Sequence, residues 1–263
     1  MQASADTLKS EVRSYWNAQP CGTQFTSLPW GSREFFADVE RGRYASHPFL
    51  PEVAEFKAFA GKRLLEVGCG LGTDLIQFAR AGASVTGVDL TPQSIELVKT
   101  RFALEGLPVD ARVSDAENLP FADESFDVVY SFGVLHHTPD TERAIREVHR
   151  VLKPGGRIII MLYHLNSMRM WLGTPLHRFK QLLETGDFRK GAEDWIRVYD
   201  GAQNPLGKAY TQRDMERMFA AFHDRKYSVH HPIRESLPPI VSAVSQRLLA
   251  PWCGFFLVIK ARK

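Results

Sequence analysis

The stretch that decides the fold is LLEVGCGLGTDL, residues 64–75. A short apolar run meets an acid, Glu66, and then glycines at alternate positions, Gly68, Gly70 and Gly72, before a helical pattern begins. Glycine lacks Cβ, so these three let the chain turn sharply and let a ligand touch backbone. Tight strand-to-helix turns use glycine on their own account, and the surrounding rhythm is what gives the loop meaning.

From Lys62 to Met161, short β-type runs alternate with helical patterns. RLLEV, SVTGV, DARVS, FDVVYS and GRIIIML are apolar, often β-branched and bounded by turn residues, which predicts strands. Helices are expected from about Thr73 to Ala81, from Thr91-Pro92 to Glu105, and from Thr141 to Leu152. Thr91 reads as an N-cap with Pro92 in the first turn, and Lys153-Pro154-Gly155-Gly156 reads as a stop. A helix near Gln212 to Phe222, then KYSVHH and FFLVIKA as strands, completes the pattern. Repeated strand–helix–strand units of this length imply an α/β fold, a doubly wound, mostly parallel, seven-stranded Rossmann-like sheet. Residues 61–163 form its core and residues 211–263 its completion. Two regions break the rhythm: an aromatic, proline-rich N-terminal cap segment, 1–60, and an insert at 164–210. In an open α/β sheet ligands bind at the carboxyl ends of the strands, where such additions can form lids.

Composition bounds the function. Apolar residues make up 44% of the 263 and charged ones 24%, an ordinary globular mixture. The net charge of +3 does not suggest a nucleic-acid-binding surface. Three widely spaced cysteines, with no CxxC pair, support neither a metal site nor a disulfide framework, and a reduced, cytoplasmic setting fits best. The N-terminus lacks the apolar core of a signal peptide, and FFLVI is too short to span a bilayer.

Two ligands compete for the glycine loop. A dinucleotide wants GxGxxG, but Thr73 stands at the third position after Gly70, and Glu66 beside the loop would repel a pyrophosphate. The spacing E-x-G-x-G-x-G suits a cationic ligand with an amino group. Asp89 ends the second strand, 19 residues after Gly70, where a carboxylate can accept both hydroxyls of a ribose. A sulfonium nucleoside is therefore favoured over a dinucleotide.

LLEVGCGLGTD, VTGVDL, DAENLPFADESFDVVYSFGVLHH and LKPGGRIIIM together resemble the successive motifs of class I S-adenosylmethionine-dependent methyltransferases. They are most similar to the small-molecule branch that includes the ubiquinone/menaquinone C-methyltransferases, over roughly residues 60 to 162. The resemblance implies S-adenosyl-L-methionine as methyl donor, with S-adenosyl-L-homocysteine as product. It places Glu66, Gly68, Gly70 and Gly72 at the donor's methionine end, Asp89 at the ribose and Leu90 beside the adenine. It places Asp115 and Ala116 at the adenine edge, and Ser131 and Phe132 along the methionine tail. Cys69 reads as a small buried filler. Enzymes that methylate nucleobase amino groups often carry an Asn/Asp-Pro-Pro-aromatic motif where this chain has SFGV, so DNA is not an expected acceptor and RNA is disfavoured.

Candidate bases are His136 and His137, after the fourth strand, and His164, after the fifth, since histidine titrates in the useful range. Tyr15, Arg43, Tyr44, Tyr163 and Tyr210 are candidates for contacting the acceptor. Arg43 could pair with an acidic acceptor or the donor's carboxylate. The stretch SMRMWLGTPLHRFKQLL is basic and amphipathic, able to rest on a membrane surface, on a lipophilic acceptor or on its own domain. The expected function is methyl transfer to an O, N, S or C nucleophile of a small molecule. A protein or RNA acceptor, or a non-catalytic protein that binds the donor, stand as alternatives, and the oligomeric state is not encoded legibly.

Overall fold

The computed structural model describes residues 5–168, 170, 183, 204–230 and 253–263. Most of the amphipathic stretch, with Trp171, Leu176, Phe179 and its basic residues, lies outside the described residues.

The strands form at the expected places: β1 Arg63–Val67, β2 Ser84–Asp89, β3 Asp110–Val113, β4 Phe126–Phe132 and β5 Leu152–His164. The last three are β6 Ala209–Tyr210, β7 His223–His230 and β8 Phe256–Arg262. The sheet runs β3-β2-β1-β4-β5-β8-β7, with the two-residue β6 added to the end of β5. β1 to β5 are parallel, while β8 is antiparallel to both β5 and β7. The expectation of seven mostly parallel strands thus holds, with β6 as an eighth that two residues gave no periodicity to announce.

The helices are α1 Ala5–Ala18, α2 Arg33–Ser46, α3 Leu50–Ala54, α4 Leu75–Arg80, α5 Pro92–Glu105, α6 Thr141–Val151 and α7 Gln212–Met218. α4 starts two residues later than expected, because Gly72 is in the left-handed region (φ 69°) and Thr73-Asp74 finish the turn. Thr91 stands at the N-cap of α5 but its hydroxyl does not cap; it donates to the Asp89 carboxylate instead. The chain passes from α6 into β5 with no loop, since Leu152 already pairs with Phe126 before a register shift admits Pro154-Gly155-Gly156. α7 is capped by Thr211 and Asp214, each accepting from the other's backbone N–H, and ends four residues short of Phe222.

Alternation along the strands sorts side chains to the two faces. Leu64, Val128, Tyr130 and Ile159 pack with Leu75, Ile76 and Phe78 of α4 and Ile95, Val98 and Phe102 of α5. Leu65, Val129, Ile158 and Ile160 pack with Ala144, Ile145 and Val148 of α6 and with Met215 of α7. The chain moves from β1 outward through β2 and β3, then restarts beside β1 at β4. That reversal opens a crevice at the carboxyl ends of β1 and β4.

Phe78 is fully buried and meets the rings of Phe56, Phe59 and Tyr130. Phe78→Ala should lose about 3–5 kcal/mol of stability in urea unfolding, as expected for emptying a close-packed aromatic site; a change below about 1 kcal/mol would mean that the site collapses freely.

Candidate functional site

The crevice is built on the turn between β1 and α4. Gly68 and Cys69 donate their N–H groups to the Val88 carbonyl at 2.7 and 3.0 Å, which bends the chain away from the sheet. Gly68 has φ 76°, and a Cβ there would stand 2.3 Å from a Val134 methyl. Gly70 has φ 50°, and a Cβ there would meet nothing within 4 Å. Its backbone therefore faces open space, as close ligand approach requires. That space is a cavity of about 900 Å³ bounded by the glycine loop, the ends of β2, β4 and β5, and the N-terminal segment.

Asp89, at the end of β2, holds the loop in place. Its Oδ2 accepts the Gly70 N–H at 2.9 Å, and its Oδ1 accepts the Thr91 N–H and hydroxyl at 2.9 and 2.8 Å. Burial pushes its carboxyl above the usual range, against the pull of these donors.

Asp74, just past the loop, is fully buried and gathers four donors. Arg43 grips it through Nε at 2.8 Å and through Nη2, Tyr44 donates at 3.0 Å and Tyr130 at 2.9 Å. Despite burial, the Arg43 guanidinium and these bonds hold the carboxyl below its ordinary value. Arg43 is thus already paired within the chain. Its Nη1 has no hydrogen-bond partner among the described residues, and the side chain lies on the cavity wall over the Phe132 ring.

Glu66 is the counterpoint. It is 4% exposed, lines the cavity, and its Oε2 is buried without a hydrogen-bond partner among the described residues. Burial first, then the neighbouring Asp74 carboxylate, push its pKa well above the usual range. A buried carboxyl without donors is costly and asks for a cationic partner.

At the other end of the cavity, Lys9 of α1 bridges Asp115 Oδ2 and Glu117 Oε2, both at 2.6 Å. Asp115 Oδ1 accepts the Glu117 N–H at 2.9 Å, so the carboxylate turns its own loop as well as facing the cavity. Glu117 and Lys9 carry no signal in the sequence, since their meeting depends on how α1 lies across the sheet.

The cavity wall includes Glu66, Gly68, Gly70, Asp89 and Leu90 from the first half of the core. It also includes Asp115, Ala116, Phe132 and His137, together with Tyr15, Arg43 and Tyr163. Several candidates stand elsewhere. Gly72 packs against Val98, and Ser131 is buried with its hydroxyl on the Val67 carbonyl at 2.9 Å. Tyr44 is turned to Asp74, and Tyr210 donates to Thr141 Oγ1 at 2.9 Å, away from the cavity.

Among the histidines the structure separates the neighbours. His136 is fully buried, its centroid 3.9 Å from that of Tyr163, with no hydrogen bond to either nitrogen among the described residues. Burial holds it neutral, well below the ordinary histidine range, and it is not on the wall. His164 is likewise buried and lowered, its Nδ1 3.0 Å from the Gly254 carbonyl. Neither ring lies on the cavity wall. His137 lies on the wall, its Nδ1 2.6 Å from the Leu206 carbonyl. That contact fixes Nδ1 as the protonated nitrogen and Nε2 as the basic one. Met161 and Phe256 also reach the cavity; neither stands out in its apolar run, and only strand register puts them beside Phe132 and Tyr163. Asp74 was legible only as a helix start.

A family model described as a methyltransferase domain matches residues 65–160. A ubiquinone biosynthesis O-methyltransferase of Rhizobium etli is 30% identical over 173 residues, which cover 59% of this chain and 70% of that protein. A phthiotriol/phenolphthiotriol dimycocerosates methyltransferase of Mycobacterium tuberculosis is 49% identical over 128 residues, 46% of this chain and 47% of the relative. The chain spans about a third to a half of the length of several curated relatives that it matches. The crystal structure of an S-adenosylmethionine-dependent methyltransferase of Thermotoga maritima superposes with a TM-score of 0.57 at 21% identity, covering 88% of this chain and 97% of that one. At that identity the likeness is one of fold.

Asp74→Asn removes the buried charge that faces Arg43 and should cost on the order of 3–5 kcal/mol at neutral pH. Because the folded pKa of Asp74 is depressed, its contribution is complete above its unfolded value of about 4 and fades as pH falls through the folded one. Thermal unfolding should therefore show the gap between wild type and variant narrowing below pH of about 4; a gap constant with pH would contradict the assignment.

Proposed function

This chain belongs to the class I S-adenosylmethionine-dependent methyltransferase family, and on that premise we propose that it moves a methyl group from S-adenosylmethionine to an O, N, S or C nucleophile of a small-molecule acceptor. The observation that carries the reading is the unpartnered Glu66 carboxyl in a cavity whose glycine loop exposes backbone. The residues fit the donor: Glu66 takes its ammonium group, the remaining Arg43 nitrogen its carboxylate, the Gly70 backbone its tail, Asp89 its ribose, and Asp115 with Ala116 its adenine edge.

When bound, the donor supplies an electrophilic methyl on a sulfonium, and transfer forms the acceptor–carbon bond as the carbon–sulfur bond breaks, leaving a neutral thioether. The protein's part is largely positioning, for which effective molarity can supply roughly 7–11 kcal/mol. α1 lines the cavity through Tyr15 and Trp16. His137 Nε2 receives the acceptor's proton where the acceptor enters protonated, a role that typically adds about 10²–10⁴-fold. The relatives are a methyltransferase of ubiquinone biosynthesis and one of phthiotriol/phenolphthiotriol dimycocerosates, which supports a small-molecule acceptor here. Nucleic acid is not part of the reading, since the fourth strand ends in SFGV rather than in an Asn/Asp-Pro-Pro-aromatic motif. No helix among the described residues is long and apolar enough to cross a membrane; three widely spaced cysteines with no CxxC pair support a reducing, cytoplasmic setting.

Incubating the full chain with methyl-labelled donor and a cell metabolite extract should give labelled small molecules by mass spectrometry. Donor binding with persistent absence of labelled products would instead make the chain a non-catalytic binder. His137→Ala should lower turnover about 10²–10⁴-fold while leaving S-adenosylhomocysteine affinity unchanged; equal loss in both would make it a wall residue. Burial and the Asp74 charge raise the Glu66 carboxyl and so favour its protonated form in the free protein; an ammonium group arriving beside it should drive that proton out. Calorimetry of S-adenosylhomocysteine in buffers of different ionisation enthalpy should show net proton release near neutral pH, and Glu66→Gln should abolish it. No buffer dependence in the wild type would show that Glu66 does not meet the ammonium.

A further inference from the structure

Helix α1 touches both ends of the cavity. Lys9, Val12 and Trp16 follow one another at spacings of three and four, so they share one face of the helix. All three reach the cavity wall, and Val12 is buried. Lys9 Nζ stands 2.6 Å from Asp115 Oδ2 and 2.6 Å from Glu117 Oε2. About two turns further along α1, the Trp16 ring meets that of His137 at 5.5 Å and 61°. The Asn17 side-chain oxygen accepts the Gln93 N–H at 3.1 Å, which fastens the end of α1 to the start of α5. One helix thus contacts the carboxylate assigned to the adenine and the histidine assigned to the acceptor.

A second connection runs through Glu117. This side chain is 4% exposed; its Oε2 faces Lys9, and its Oε1 accepts the Asp140 N–H at 2.8 Å. Asp140 is the N-cap of α6 and ends the turn that carries His137. On its other side that turn is held by the 206–208 segment. The Leu206 carbonyl meets His137 Nδ1, and Lys208 Nζ donates to the Thr138 and Pro139 carbonyls at 3.0 and 2.7 Å. The turn is therefore strung between that segment and the α1 side, and Lys9 is what lets the α1 side hold. Without its ammonium, Asp115 and Glu117 are like charges at one place, one of them buried. A buried carboxylate left so takes up a proton or turns to water, and Glu117 then loses its grip on Asp140.

We infer that Lys9 is a positioning residue for the transfer step: it carries occupancy of the nucleoside end, felt at Asp115, through Glu117 and α1 to the base His137. This rests on the methyl-transfer reading and adds a coupling between the two ends of its site. In the free protein Asp115 accepts Lys9 at Oδ2 and the Glu117 N–H at Oδ1. The donor's adenine brings an amino group to the same carboxylate. That new hydrogen-bond donor competes with Lys9, moves the ammonium toward Glu117 and tightens the link from Glu117 to the His137 turn.

The test reads the His137 ring itself, by nuclear magnetic resonance of the full chain carrying isotope-labelled histidine, with the signal assigned against His137→Gln. S-adenosylhomocysteine is added to saturation and loading is measured by calorimetry; a wild type that does not load removes the methyl-transfer reading itself. In the loaded wild type the His137 signal should move. In Lys9→Met that movement should shrink at least about twofold, and S-adenosylhomocysteine should leave about fivefold faster or more in stopped flow, the lower end of ordinary coupling between sites. Lys9→Arg should restore both, since a guanidinium can span the same two carboxylates. Lys9→Gln supplies the same comparison if Lys9→Met does not fold. A His137 signal that ignores loading in the wild type, or that moves as far in the lysine variants, overturns the inference and leaves donor binding standing. Loss of loading in a folded lysine variant overturns it as well, by making Lys9 part of the donor site alone.

Discussion

The buried Asp74 carboxylate is the constraint on which the rest of the site depends. It sits where α4 begins, yet it does not cap that helix; it accepts from Arg43 and Tyr44 of α2 and from Tyr130 of β4. One side chain therefore ties the N-terminal segment, the glycine loop and the central strand together. Breaking such a pair strands a charge in a place with little water, which is why the arrangement is all-or-nothing. The same pair sets the field in the cavity. With Asp74 ionised against Arg43, burial and the nearby Asp74 charge push the carboxyl of Glu66 above its usual range, which favours its pairing with an arriving cation.

The cavity then reads as a graded environment. At one end polar groups are bound to one another, with Asp89 pinned by Gly70 and Thr91, and Asp115 by Lys9 and the Glu117 N–H. In the middle stand the two groups with spare capacity, the Glu66 acid and the third nitrogen of the Arg43 cation, suited to a zwitterion. At the far end the wall is made of rings. A methyl donor with an amino-acid tail and a nucleoside head matches this order, and the reacting methyl would fall between the charged middle and the aromatic end.

The α/β alternation was legible because each strand of the core is short, apolar and bounded by turn residues, and because α5 and α6 carry clear starts and stops. The glycine loop and Asp89 were legible for a local reason: backbone exposure and a strand-end carboxylate are encoded by residue type and spacing. What was not legible depends on long-range placement. Lys9 reaches Glu117 only through the lie of α1, and Phe256 joins Tyr163 only through the antiparallel register of β8. His136 and His137 are adjacent in sequence yet differ in role, because the short 3-10 turn Leu135–His137 points one ring into the core and the other to the cavity. Arg43 was read as waiting for a ligand, and Asp74 takes most of its capacity because the fold brings α2 over the loop.

The central claim is that this cavity holds a nucleoside with a zwitterionic tail rather than a pyrophosphate dinucleotide. Isothermal titration of the full chain with S-adenosylhomocysteine and, separately, with NAD tests it most directly. Micromolar binding of S-adenosylhomocysteine with no measurable binding of NAD is the predicted result. Binding of NAD in preference to S-adenosylhomocysteine would contradict the roles given to Glu66, Arg43 and the glycine loop together.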